Sequence, residues 1–228
     1  MAATTTLGYD DLPELLTLLT GDEKHDSSSL STLDVLWVLY DRVLRIDPDR
    51  VDDPERDRFL LSKGHGPTAY YAVLAAKGFL DLDELAGFGA FESRLGYHPD
   101  HVLAPAVEIS SGSLGHGLPI GVGVALALDA RGLERPRVVC LVGDGELDEG
   151  SNWEAVQYAG RVRLARLTVV VVDNHSATYH WPGGIDARFA AEGWSTARAD
   201  GRDHAALERA LTAPRGERPN VVVAEVRR

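Results

Sequence analysis

Two short stretches carry side chains suited to a hard cation: Val142-Gly143-Asp144-Gly145-Glu146 and Val172-Asp173-Asn174. Each closes an apolar run that reads as a buried strand, over 137–142 and 167–173. Asp144 and Asn174 are separated by the length of one strand–helix–strand crossover, which sets two parallel strand tips side by side. In open parallel sheets, ligands bind beyond the carboxyl ends of the strands. A carboxylate, an amide oxygen and a backbone carbonyl, completed by two phosphate oxygens and a water, form an octahedral Mg²⁺ shell. Gly143 and Gly145 are expected to let the backbone turn sharply and approach phosphate with no Cβ in the way. A helix beginning near Glu149 is expected to aim its amino end at that negative charge. Taken alone, Gly-Asp-Gly reads as a plain turn after a strand; Asn174 at the next strand end is what favours a metal and a diphosphate.

The elements that must position these residues follow from periodicity. An apolar patch over 12–19 reads as a short helix. Ser31 or Thr32 caps a stronger one, with Leu33, Leu36, Trp37, Tyr40 and Leu44 at helical spacing and Asp47-Pro48 ending it. Phe59-Leu60-Leu61 is a short apolar run, followed by a helix over 68–77 closed by Gly78. Beyond residue 100 the pattern becomes strand, turn and helix, repeated: a small-residue helix after 111–123, the first buried strand, a helix over 149–160 and the second buried strand. A loop to Gly184, a weak strand near Trp194, a helix over 203–211 and a last strand over 220–226 complete it. Continuous apolar strands alternating with amphipathic helices imply an α/β fold, a mainly parallel sheet covered by helices on both faces. No repeat or linker divides the chain, so residues 1–228 read as one domain.

Composition narrows the class. Hydrophobic residues make up 44% and charged residues 25%, an ordinary globular balance. A formal net charge of -12 argues against a sequence-independent grip on nucleic acid, which needs a basic stripe. The single cysteine, Cys140, lies inside an apolar run and reads as a buried structural thiol, which suits a reducing compartment. No stretch approaches the roughly 20 apolar residues of a membrane helix, and the first residues lack a signal peptide's basic flank and apolar core, so a cytoplasmic protein is expected.

With these residues in hand, the chain resembles the transketolase family of thiamine diphosphate enzymes. Gly143-Asp144-Gly145 followed by Asn174 is similar to the thiamine diphosphate fingerprint, and Gly143 to Gly150 is similar to transketolases in particular. Leu61-Ser62-Lys63-Gly64-His65-Gly66 resembles Leu-Ser-x-Gly-His. Gly96-Tyr97-His98-Pro99-Asp100 resembles Gly-His-Pro-Glu/Asp, and Ser111 to Gly117 resembles Thr-Gly-x-Leu-Gly-Gln-Gly. The resemblance implies Mg²⁺ held by Asp144, Asn174 and the Ser176 carbonyl. It places Gly143, Gly145 and His65 at the diphosphate and Gly112 and Leu114 near the aminopyrimidine ring. Glu149 matches a family acid at the subunit interface; it reads equally as a carboxylate of a helix first turn. His25 falls where the family has a Gly-His-Pro-Gly-Gly loop, judged from Ser29-Leu30-Ser31 and Asp34. With His65 and His98, it suits proton transfer and polarisation of a sugar carbonyl or hydroxyl. His116, His175 and His180 receive no role.

Three departures qualify the resemblance. Lys24-His25-Asp26-Ser27-Ser28 lacks the family's Pro-Gly-Gly, and Asp26 adds negative charge where a substrate phosphate would sit. The loop over 175–184 has Ser176 where the family places an apolar residue, and its Tyr179, His180 and Trp181 either line a pocket or pack against a partner. The family's pyrimidine-binding domain, which supplies the glutamate that activates the cofactor, has no counterpart here. A site shared with a second polypeptide is therefore expected, as in split transketolases: a heterotetramer of two such chains with two C-terminal subunits. A segment cut from a longer protein would read the same way. The expected reaction is transfer of a two-carbon ketol unit from a ketose to an aldehyde-type acceptor. The alternatives are a ketol or acyl transferase of specialised metabolism acting on a carrier-bound or non-sugar acceptor, and a non-catalytic scaffold subunit.

Overall fold

Strands made only of Val, Leu, Cys and their like need cover on both faces, and each receives it. The computed structural model describes residues 7–19, 29–64, 66–178, 181–214 and 216–226. Five strands form one parallel sheet: β1 (Arg58–Leu61), β2 (Val138–Gly143), β3 (Leu167–Asp173), β4 (Ser195–Asp200) and β5 (Asn220–Glu225), in the spatial order β1-β2-β3-β5-β4. Alternate side chains of the central strands sort to opposite faces. Val139, Leu141, Val170, Val172, Val222 and Ala224 join one core, while Val138, Cys140, Val142, Val169, Val171 and Val223 join the other. Each such side chain removed from water contributes about 1.5–3 kcal/mol.

The first core is covered by α1 (Leu12–Leu18), α2 (Leu33–Val38), α3 (Thr68–Ala76) and, after the others in the chain, α7 (His204–Thr212). The second is covered by α4 (Gly117–Ala130), α5 (Gly150–Arg161) and α6 (Ile185–Ala191). The expected α/β architecture is therefore present. The helix expected to run on to Asp47 instead stops at Val38 and widens into a π turn, Leu39–Val43, with Leu44 N bonded to Leu39 O at 2.8 Å. Gly78 closes α3 as expected. It sits at φ +78°, and Phe79 N reaches back to Leu74 O, a bond pattern that satisfies the last carbonyls.

Candidate active site

β2 and β3 pair with Gly143 opposite Val172, and Asp144 N donates to Val172 O, so the two strand ends finish together. Asp144 and Asn174 follow directly and are both buried, at 2% and 8% exposure. The loop after β3 folds back onto the carboxylate. Ser176 N and Ala177 N donate to Asp144 Oδ2 at 2.7 and 3.0 Å, and the Ser176 hydroxyl donates to Oδ1 at 2.7 Å. His175 turns this loop in the left-handed region, at φ 59°. Asn174 Nδ2 donates to Ser31 Oγ at 3.3 Å, whereas Asn174 Oδ1 is a buried acceptor with no donor among the described residues. A Cβ placed on Gly145 would lie 3.6 Å from the Ser176 carbonyl oxygen, so that carbonyl also faces this corner. A buried carboxylate, an unmatched amide oxygen and a nearby carbonyl are the hard oxygen donors that Mg²⁺ prefers. The residues present therefore fit a divalent cation.

Three further loops meet these strand ends, and a residue that sequence reasoning gives no role joins them. Glu146, 2% exposed, accepts from the Ser62 hydroxyl after β1, from Gly115 N at 2.9 Å before α4, and from Gly143 N at 3.3 Å. Burial raises the Glu146 carboxyl above its ordinary value, and these donors oppose that rise. Beside it, burial pulls Lys63 down to about 8, with Glu146 and Asp144 opposing the fall. The Lys63 stem lies where a Cβ on Gly143 would meet its Cδ at 3.1 Å. Neither Gly143 nor Gly145 has a positive φ, so the turn there does not use the left-handed region, and the small size of Gly143 leaves room for the Lys63 stem.

The helix expected near Glu149 is present: Gly145–Asp148 forms a 3-10 turn immediately after Asp144, and α5 begins at Gly150 with Glu149 as its N-cap. Glu149 is exposed at its N-cap, and the neighbouring Ser151 hydroxyl donates to Gly115 O at 2.7 Å. Gly112, at φ 133°, lies so close to the His98 ring that a Cβ would sit 2.6 Å from its Cδ2. His98 is exposed and Leu114 half-buried. Glycine is likewise required at Gly117, where a Cβ would collide with Ser62. The motif segments around residues 62, 98, 112 and 143 are thus packed together. His25, Asp26, His65, Tyr179 and His180 lie outside the described residues.

Two outer supports complete the site. Trp181 packs against its own chain: Arg188 lies over the rings of Trp153 and Trp181, 3.5 and 3.7 Å from their centroids. On the Ser31 side, Asp34 accepts from the Tyr9 hydroxyl, Arg202 and His204 at 2.6, 2.6 and 2.8 Å. Burial raises the Asp34 carboxyl, but these partners outweigh it and hold the group below its ordinary value.

The fold is a parallel α/β sheet covered by helices on both faces, and its adjacent strand tips carry Asp144 and Asn174 above a buried polar floor. Residues 18–227 match the transketolase, thiamine diphosphate binding domain family. The chain belongs to the transketolase family, a family of transferases. It is 54% identical to ferredoxin fas2 of Rhodococcoides fascians over 98% of this chain and 74% of that protein. It is 43% identical to one of the subunits of the apulose-4-phosphate transketolase of Actinobacillus succinogenes, over 64% of this chain and 52% of that relative. The fold matches the transketolase of Leishmania mexicana with a TM-score of 0.78 at 24% identity, covering 96% of this chain and 37% of that enzyme. The chain thus spans about half the length of the apulose enzyme's matched polypeptide and little over a third of the full-length transketolase. The word ferredoxin does not transfer to the matched region, since iron–sulfur clusters are held by cysteine thiolates and Cys140 is alone and buried.

Proposed function

We propose that this chain, as one domain, is the diphosphate-binding subunit of a split transketolase, completed by a second polypeptide bearing the pyrimidine-binding domain. The observation that carries the metal half of this reading is Asn174 Oδ1, a buried acceptor with no donor among the described residues, beside the Asp144 carboxylate. A cation there would satisfy both groups, with the Ser176 carbonyl as a third ligand. When bound, thiamine diphosphate supplies a nucleophilic carbon and an electron sink for carbon–carbon cleavage. Gly145 and His65 would border its diphosphate, and Gly112 and Leu114 its aminopyrimidine ring. His98, packed on Gly112, would polarise substrate oxygens with His25 and His65. Glu149, exposed at the start of α5, would meet the partner. The reaction would move a two-carbon ketol unit from a ketose to an aldehyde-type acceptor, within a cytoplasmic heterotetramer. A relative named as a transketolase subunit supports the division between two chains.

Calorimetric titration of thiamine diphosphate with Mg²⁺, on this chain alone and with the partner, tests the reading. Mg²⁺-dependent binding that needs the partner and disappears in Asp144→Ala supports it. Binding absent in both settings would leave a scaffold role. A second reading, with a non-sugar or carrier-bound acceptor, is favoured by Asp26, a negative charge close to where a substrate would sit. Ordinary turnover of xylulose 5-phosphate with ribose 5-phosphate by the reconstituted pair would remove it.

A further inference from the structure

The metal corner contains one side chain whose chemistry works against the cation. Among the described residues, the three hydrogen bonds to the Asp144 carboxylate come from the short stretch Ser176-Ala177. The two backbone donors share Oδ2, where they fix the rotation of the carboxylate. Oδ1 is taken by the Ser176 hydroxyl at 2.7 Å. That hydroxyl faces the same side as the Ser176 carbonyl, because a Cβ on Gly145 would lie 3.4 Å from Oγ and 3.6 Å from the carbonyl oxygen. The hydroxyl, the carbonyl and the Asp144 carboxylate therefore share the corner at which the proposed cation would be held. Asp144 is almost fully buried while Ser176 is exposed, so the hydroxyl is the partner free to rotate away.

We propose that the Ser176 hydroxyl is a latch on Asp144 that a divalent cation must displace, making Ser176 a determinant of metal affinity. This rests on the metal reading above. The latch satisfies a carboxylate oxygen and ties the loop after β3 to the end of β2. A cation held by Asp144, Asn174 and the Ser176 carbonyl would compete with the hydroxyl for the carboxylate. The displaced hydroxyl would turn to water, leaving the two backbone bonds to Oδ2 in place. The protein consequently gives up one hydrogen bond for each ion bound, and affinity is lower than the ligand set alone would provide.

The test is Mn²⁺ binding followed by paramagnetic resonance, in the presence of thiamine diphosphate, for the wild-type chain, Ser176→Ala and Ser176→Thr, each with and without the partner subunit. Ser176→Ala should bind Mn²⁺ about threefold to tenfold more tightly, the factor set by one net hydrogen bond. Its ion-free melting temperature should fall by about 2–4 °C, since the latch is lost there. Ser176→Thr keeps a hydroxyl and should match the wild type in both measurements. A merely structural serine would lower stability without tightening the metal. Equal or weaker Mn²⁺ binding by Ser176→Ala overturns the latch while leaving the metal site standing. Binding by no variant, with or without the partner, overturns the metal reading and the latch with it.

Discussion

Asn174 places two opposed demands on one side chain. Among the described residues its Oδ1 is buried without a donor, a situation that costs about 1–3 kcal/mol, while its amide makes one long bond, to Ser31. Replacing it with a leucine of similar volume removes the unmatched oxygen. We expect Asn174→Leu to leave the ion-free melting temperature unchanged or slightly raised, and to abolish the stabilisation that Mg²⁺ with thiamine diphosphate gives the wild type. Scanning calorimetry with and without the ligands checks both halves; a large ion-free loss would mean that the residue is structural. Lys63 and Glu146 set a similar conflict, with two charged groups buried side by side beneath the site. Burial lowers Lys63 to about 8, below the ordinary 10.5, so the unfolded chain holds more protons than the folded one between those values. Stability conferred through Lys63 should therefore rise with pH across that window and be flat below it. The difference in melting temperature between wild type and Lys63→Met, measured from pH 7 to 10, should move in favour of the wild type above about pH 8. Absence of that drift would show that the lysine is not desolvated.

At the scale of elements, the sheet's start is held as deliberately as its functional end. Asp57, fully buried, accepts from Arg45 N and Nη2 at 3.0 and 2.8 Å and from Arg137 N and Nε at 2.8 and 2.9 Å. It thereby ties the segment after α2 to the first residues of β1 and β2. Burial raises its carboxyl, but both arginines outweigh this and hold it below the ordinary 3.8. A depressed carboxyl contributes stability that is fully present above the unfolded value and is lost as pH falls through the folded one. Asp57→Asn should cost about 3–5 kcal/mol at neutral pH, the penalty for breaking a buried ion pair, and the gap should close in acid below about pH 3.8. Urea unfolding at several pH values measures it. The same scale shows what is legible in the sequence. β2 and β3 are readable because a strand buried on both faces must be apolar throughout, and their runs stand out between glycines and charges. β1 is not, because four residues at a sheet edge carry little periodic signal. Nor is α6, where only Ile185 and Phe189 of seven residues are buried. Asp144 and Asn174 are visible from strand-end spacing. Lys63 and Glu146 are not, because their pairing arises from three loops meeting in space, and the chain gives no local cue for it.

For the whole molecule, the decisive question is what covers the segment that carries His98. Phe91 is 99% exposed and Val102 81%, and Tyr97 and Leu103 are exposed as well. The segment is not loose: the Phe88 and Tyr97 rings pack at 5.4 Å, and Arg94 Nε donates to Leu103 O at 2.7 Å. Scattered exposed apolar residues are normal, but a tied segment presenting four of them beside a proposed shared site matches the apolar part of a subunit interface. Burial of a large apolar side chain contributes about 1.5–3 kcal/mol, and each 1.4 kcal/mol is tenfold in affinity. Phe91→Ser with Val102→Ser should therefore weaken binding of the partner subunit at least about tenfold. The variant's own melting temperature should not change, because both side chains already stand in water. Thiamine diphosphate binding by the mixed subunits should fall in parallel and recover when the partner is raised to excess, since the changes lie outside the metal corner. Sedimentation velocity with labelled partner gives the first quantity and calorimetry the second. An unaltered partner affinity would move the interface to another face of the sheet, and recovery that fails at excess partner would place Phe91 or Val102 in the cofactor site itself.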